Sequence, residues 1–191
     1  MLFKLLTGAV ALAGFAAILS AQAIDPDTFK VNYFSNIGIA NPAEMRMTKV
    51  GTSGGNICAD IYVFDPHQEL EECCSCQLTP DGLRTLVIGL SGNIAANPLT
   101  GFDPPLLNGI IKIVSSSGTC SGTGLPLPVS PKPTPGLRAW GGHLNGPGLL
   151  TETAFSDATL SAGELSNLGT MCAIIKNEGS GAGVCSCGTG E

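Results

Sequence analysis

Eight cysteines constrain this chain of 191 residues more than any other feature of its sequence. They are Cys58, Cys73, Cys74, Cys76, Cys120, Cys172, Cys185 and Cys187. An even number of cysteines predicts disulfides if the chain is exported to an oxidising compartment. Bonds within residues 73–76, or between the last two cysteines, are disfavoured because close neighbours rarely reach disulfide geometry. Each of the three clustered cysteines is therefore expected to bond one of the other five, which leaves many pairings open.

The first 23 residues have the features of a secretory signal peptide. Lys4 precedes an uncharged apolar run over residues 8–19, and Ala21 and Ala23 offer small side chains where signal peptidase recognises them. The run is shorter than the roughly twenty residues of a membrane-spanning helix. We predict cleavage after Ala23, a single domain over residues 24–191 with no membrane span, and a secreted, periplasmic or cell-surface location.

The charge of the chain limits its partners. Charged residues make up 13% of the sequence, and the formal net charge is −6 at pH 7. An acidic protein repels a phosphate backbone, so nucleic acid is an unfavourable partner. The remaining expectation is an unknown extracellular ligand or self-association.

Several segments have the pattern of strands. Residues 57–64 alternate with a period of two, as expected for a strand in a sheet. Further strands are predicted over residues 29–40, 84–90 and 109–115, with a short one at the end over 183–187. Residues 92–109 contain proline, asparagine and glycine, which favour a long loop.

A single helix is predicted over about residues 161–177. Ser161 and Glu164 form a capping-box pattern, and apolar side chains follow at helical spacing. The proline-rich residues 126–135 are expected to form a crossover rather than a linker between domains. Many short strands and one late helix predict an all-β fold, an antiparallel sandwich or barrel-like structure held by disulfides.

One short motif suggests a hydrolase. Residues 51–55 match the G-x-S-x-G pattern, which would make Ser53 a nucleophile. Both histidines, His67 and His143, follow this serine, which is not the order of chymotrypsin-like proteases. A flexible glycine loop is the favoured interpretation, and a small secreted hydrolase using a histidine with nearby carboxylates is kept as an alternative.

A second cluster could hold a metal. His67, Asp65 and Glu69 precede the cysteines of residues 73–76, and thiolate and imidazole suit zinc or copper. The usual paired-cysteine spacing is missing, and oxidation would consume the thiols. Calcium-loop spacing is also missing, so we expect no metal and a solvated acidic turn for the nearby carboxylates, Asp60, Asp65, Glu69, Glu71 and Glu72.

Two residues are candidates for ligand binding. Trp140 is the only tryptophan and stands beside two glycines, followed by His143. An aromatic ring flanked by glycines can form a platform for a sugar or a protein partner, although tryptophan is more often part of a core.

Several segments resemble an uncharacterised family of exported, cysteine-containing proteins of acidobacteria. The resemblance rests mainly on Ile-Cys-Ala-Asp-Ile-Tyr-Val-Phe-Asp at 57–65 and Glu-Cys-Cys-Ser-Cys at 72–76. Similar segments occur at residues 78–80, 97–101, 137–140, 160–165 and 183–187. The resemblance implies a bacterial secreted or periplasmic protein, with no activity and no functional residues to transfer.

The sequence therefore predicts a non-enzymatic secreted or cell-surface module, with a structural or binding role and no cofactor. The alternatives are the small secreted hydrolase and a metal-binding protein that uses His67 and residues 73–76.

Overall fold

The structure is a computed structural model that describes residues 26–36, 43–51, 54–89, 92–94, 108–120, 131–144, 150–178 and 185–187. These residues form two antiparallel sheets, one α-helix and a short 3-10 helix (Pro26–Thr28). The strands are β1 (Phe29–Ser35), β2 (Ala43–Lys49), β3 (Ile57–Phe64), β4 (Leu70–Leu78), β5 (Leu83–Ile88), β6 (Asn108–Ser117), β7 (Lys132–Pro133), β8 (Leu137–Leu144), β9 (Leu150–Ala154) and β10 (Ser156–Asp157). The helix is α1 (Ala162–Glu178).

The two sheets form a sandwich. Sheet A has the strand order β10-β1-β6-β3-β4, with β7 paired to the end of β6, and sheet B has the order β5-β2-β8-β9. Neither sheet closes on itself within the described residues. The predicted all-β antiparallel fold is thus confirmed, and of its two forms the structure adopts the sandwich rather than the barrel.

Sheet A is covered on both faces, which explains why every residue of β3 is buried. Between the sheets lies the main core, to which β3 contributes Ala59, Ile61 and Val63. On the outer face, α1 covers Tyr62 and its neighbours through Leu168 and Ile175. The alternation of side chains along β3 therefore supplies two different cores from one strand.

The helix begins where the sequence predicts it. The Ser161 hydroxyl accepts a hydrogen bond from the backbone N–H of Glu164 at 3.0 Å, which satisfies one free donor of the first turn. Leu168, Cys172 and Ile175 are buried against sheet A. The prediction of one C-terminal helix over about 161–177 is confirmed.

The predicted strands agree with the structure except at the carboxyl end. Residues 57–64 form β3, and the next two predictions match β5 and β6 within a few residues. The first strand ends at Ser35, and residues 37–40 of that prediction lie outside the described part. The prediction of a strand over 183–187 is wrong for residues 185–187, which form no strand ladder, although Cys185 and Cys187 are buried.

All eight cysteines form disulfides, as expected. The bonds are Cys58–Cys120, Cys73–Cys172, Cys74–Cys185 and Cys76–Cys187. Alternation along β4 explains the pairing, because Cys74 and Cys76 belong to the core between the sheets whereas Cys73 belongs to the core under α1. The cysteine cluster therefore fastens β4 to the helix on one face and to the C-terminal segment on the other.

Three predicted segments lie partly or wholly outside the described residues. They are the signal peptide at residues 1–23, residues 95–107 of the loop predicted over 92–109, and residues 126–130 of the proline-rich crossover. The described end of the crossover leads from β7 in sheet A to β8 in sheet B. Among the described helices, none has the length and apolar character needed to cross a bilayer.

Candidate functional site

A cavity of about 440 Å³ opens between the two sheets. It lies where β1 of sheet A faces β8 and β9 of sheet B. Ligand pockets in proteins usually occupy about 300–1,000 Å³, so the volume suits a small molecule. The described residues that line the cavity are Asn32, Tyr33, Phe34, Ser35, Ala43, Glu44, Ile88, Ile111, Gly141, Gly142, His143, Thr151, Thr153 and Phe155.

The floor of the cavity is apolar and is shaped by a glycine. Four buried side chains form it, those of Phe34, Ile88, Ile111 and Phe155. The Phe34 ring lies over Gly109, where an added Cβ would be 2.9 Å from a ring carbon and 2.1 Å from the carbonyl oxygen of Phe64. A larger residue at position 109 would therefore displace Phe34 or the neighbouring strand.

Asn32, on β1, reaches across the gap between the sheets. Its Oδ1 accepts a hydrogen bond from the backbone N–H of Tyr33 at 3.0 Å, so its Nδ2 points the other way. A Cβ added to Gly141 on β8 would lie 2.5 Å from Nδ2 of Asn32. Only glycine at position 141 leaves room for this amide at the cavity wall.

The two candidate binding residues lie on opposite faces of β8. His143 is half-buried, lines the cavity and lies opposite Thr151 of β9. Trp140 is separated from His143 by an odd number of positions along β8, so its side chain is on the other face of the strand. It is also half-buried, but it does not line the cavity and lies opposite Arg46 and Ala154 in sheet B. Binding by Trp140 and binding by His143 would therefore require two different surfaces.

The cavity does not bring a catalytic pair into contact. Within the described residues, no hydrogen bond or ion pair joins His143 to a carboxylate. Glu44 lines the cavity, but its carboxylate accepts a hydrogen bond from Arg46 at 2.9 Å. The predicted nucleophile, Ser53, lies outside the described residues.

The second histidine lies in the turn between β3 and β4. His67 Nδ1 is 3.0 Å from Asp65 Oδ2, and the His67 side chain is 74% exposed. Asp65 Oδ1 accepts a hydrogen bond from the Glu69 backbone N–H at 2.8 Å, which closes the turn. Carboxylate oxygens of Asp65, Glu69 and Glu71 lie within 4.8 Å of one another. The cysteines of residues 73–76 contribute no thiolate ligand, because all are in disulfides.

The expectation of a solvated acidic turn is wrong for three of the five carboxylates. Asp60, Glu71 and Glu72 are buried, because β4 begins at Leu70 and β3 is covered on both faces. The sequence did contain the signal, since Asp60 falls within the alternating pattern of β3.

Asp60 is the most unusual of these groups. It has no exposed surface, and it accepts hydrogen bonds from the hydroxyls of Ser75 and Ser116, each at 2.6 Å. Burial raises the pKa of Asp60 to about 6, although the two hydrogen bonds lower it. Beside it, burial and the charge of Asp60 raise the pKa of Tyr62, whose hydroxyl has no partner among the described residues.

Comparisons with protein-family models, with curated proteins and with solved structures gave no match for this chain.

Proposed function

We propose that this protein is an exported, non-enzymatic binding module that takes a small ligand between its two sheets. The observation that carries the proposal is the cavity, which combines an apolar floor with polar groups from both sheets. This combination is typical of small-molecule sites, where apolar side chains supply affinity and a few polar groups fix the orientation.

The geometry of the wall favours binding over catalysis. A catalytic histidine is usually oriented by a hydrogen bond to a third group, most often a carboxylate. His143 has no such contact with a carboxylate in the described part of the chain. The hydrolase alternative therefore has no support from contacts around the cavity, and the metal-binding alternative has lost its cysteine ligands to disulfides.

The proposed compartment follows from the disulfides and from the amino terminus. Four disulfides are typical of proteins outside the reducing cytoplasm. The first 23 residues have the features of a signal peptide. We therefore propose a bacterial protein of the periplasm, the cell surface or the medium, in keeping with the acidobacterial resemblance.

A pair of variants tests the cavity as the binding site. Thr153 is an exposed residue of β9 that lines the cavity, so Thr153→Phe should fill its mouth without burying a new group. Thr85 is an exposed residue of β5 outside the cavity, so Thr85→Phe is the matched control.

Ligand-observed NMR with a diverse set of small molecules provides the readout. We expect compounds that bind the wild-type protein and Thr85→Phe but not Thr153→Phe, and we expect to recover them unchanged after prolonged incubation. A set of compounds that binds all three proteins equally would refute the cavity as the site. Conversion of a bound compound would refute the non-enzymatic assignment.

A further inference from the structure

The side chains at the floor of the cavity determine how polar the inner part of a ligand can be. Phe34, Ile88, Ile111 and Phe155 present only apolar atoms from their side chains. A polar ligand group placed against this floor would lose its hydrogen bonds to water without replacement, at considerable cost. The inner part of the ligand must therefore be apolar.

The Asn32 amide at the wall of the cavity determines which polar group the other part of the ligand needs. The Oδ1 atom of Asn32 is occupied by the backbone N–H of Tyr33, which fixes the orientation of the amide. Its Nδ2 has no hydrogen-bond partner among the described residues, and it lies at the wall formed by Gly141. The free donor calls for an acceptor on the ligand, such as a hydroxyl or carbonyl oxygen.

The charges around the cavity favour a neutral ligand. The described lining residues include neither lysine nor arginine, so a carboxylate or phosphate would lack a permanent positive partner. The one carboxylate in the lining, Glu44, is already paired with Arg46, so a cation would have to compete with that arginine. The chain as a whole carries a formal net charge of −6, which further disfavours anions.

Building on the proposed function, we infer that the cavity takes a neutral amphiphile, an apolar body that ends in one hydrogen-bond acceptor. The apolar body lies against the Phe34 side of the cavity, and the acceptor receives a hydrogen bond from Nδ2 of Asn32. Gly141 acts as a specificity residue because its lack of a side chain leaves room for this amide.

Isothermal titration with three probes tests the class of ligand. The probes are octan-1-ol, octanoate at pH 8 and glucose, which represent a neutral amphiphile, an anionic amphiphile and a purely polar molecule. We expect octan-1-ol to bind, octanoate to bind at least about tenfold more weakly, and glucose to give no signal.

Two further variants test the hydrogen bond. Asn32→Asp keeps the shape of the side chain but replaces the donor with an acceptor. It should weaken by about tenfold the binding of octan-2-one, a neutral amphiphile that can accept but not donate a hydrogen bond. Asn167→Asp adds the same charge on the exposed side of α1 and should leave binding unchanged. Gly141→Ala should weaken binding as Asn32→Asp does, since it displaces the same amide without adding charge.

The outcomes separate this inference from the proposed function. If octanoate or glucose binds better than octan-1-ol, and Thr153→Phe abolishes that binding, the inferred ligand class is wrong and the binding cavity stands. If octan-2-one binds equally to the wild-type protein, Asn32→Asp and Gly141→Ala, the role of Asn32 is refuted. If none of the probes binds, the neutral-amphiphile inference is refuted. The NMR screen with the diverse set of small molecules then decides whether the cavity is a binding site.

Discussion

Replacing Asp60 by asparagine should stabilise the fold at neutral pH and remove part of its pH dependence. Asp60 is fully buried, and its only hydrogen bonds in the described part come from Ser75 and Ser116. Asparagine has nearly the same shape and can keep both contacts, because its Oδ1 accepts from one hydroxyl while its Nδ2 donates to the other. The substitution therefore removes the buried charge and preserves the packing.

The magnitude follows from the pKa of Asp60, which burial raises from 3.8 to about 6. One pKa unit corresponds to 1.36 kcal/mol, so ionisation of the buried carboxyl costs the folded state about 3 kcal/mol. Below pH 3.8 the carboxyl is protonated in both the folded and the unfolded state, and the cost is absent. As the pH rises from about 4 to 6 the cost appears, so this group lowers the free energy of unfolding towards neutral pH.

Guanidinium chloride unfolding with intact disulfides, followed by the fluorescence of Trp140, measures the effect between pH 4 and pH 7. The free energy of unfolding of Asp60→Asn relative to wild type should increase by about 2 kcal/mol over this range, because a small part of the cost is already present at pH 4. Asp81→Asn is the control, because Asp81 is exposed in a turn at a φ of 55° that asparagine also tolerates. An equal difference between Asp60→Asn and wild type at both pH values would refute a buried carboxylate with a raised pKa.

Three other predictions concern stability and can be measured by the same unfolding assay. Removing the disulfide between Cys74 and Cys185 by a double alanine substitution should cost about 2–5 kcal/mol, and an unchanged midpoint would show that the C-terminal segment is not held by it. Ser161→Ala should cost about 1 kcal/mol through loss of the helix cap, whereas a neutral effect would indicate another partner for the first turn. Gly109→Ala should cost about 1–3 kcal/mol because its Cβ would overlap the Phe64 carbonyl. The helical Gly163→Ala, whose Cβ would make only an ordinary contact with the Ser161 hydroxyl at 3.9 Å, should stabilise by about 1 kcal/mol, and equal effects would contradict the packing at position 109.

The elements with strong local patterns were predictable from the sequence. Residues 57–64 follow the two-residue period of a strand, and Ser161 with Glu164 marks the helix start through a local capping contact. Cys74 and Cys76 are two residues apart in β4, so strand geometry alone places their side chains on the same face. These features depend on residues close together in sequence, where backbone geometry alone limits the outcome.

Strands β8 and β2 were not predicted from the sequence, for different reasons. Strand β8 contains Arg138, Trp140 and two glycines, and its place in sheet B depends on pairing with β2 and β9 rather than on its own propensity. Strand β2 does alternate Met45 and Met47 with polar residues, so its signal was present but was not recognised.

The candidate site was less predictable than the fold. His143 was identified, but its grouping with Trp140 was misleading, because strand geometry places the two side chains on opposite faces of β8. The partners of His143 at the cavity come from β1, β2, β5, β6 and β9, and no local motif connects them. Long-range pairing creates the cavity, so single-sequence patterns could not locate it.

Amide chemical shifts in two-dimensional NMR locate the binding site of octan-1-ol most directly. Saturating octan-1-ol should shift the backbone amides of the cavity residues, led by Asn32, Gly141 and Thr153, while those of Thr85 and Asn167 stay in place. Loss of these shifts in Thr153→Phe would complete the assignment. Shifts confined to other surfaces, or the absence of shifts at saturating octan-1-ol, would contradict a cavity between the sheets that binds a neutral amphiphile.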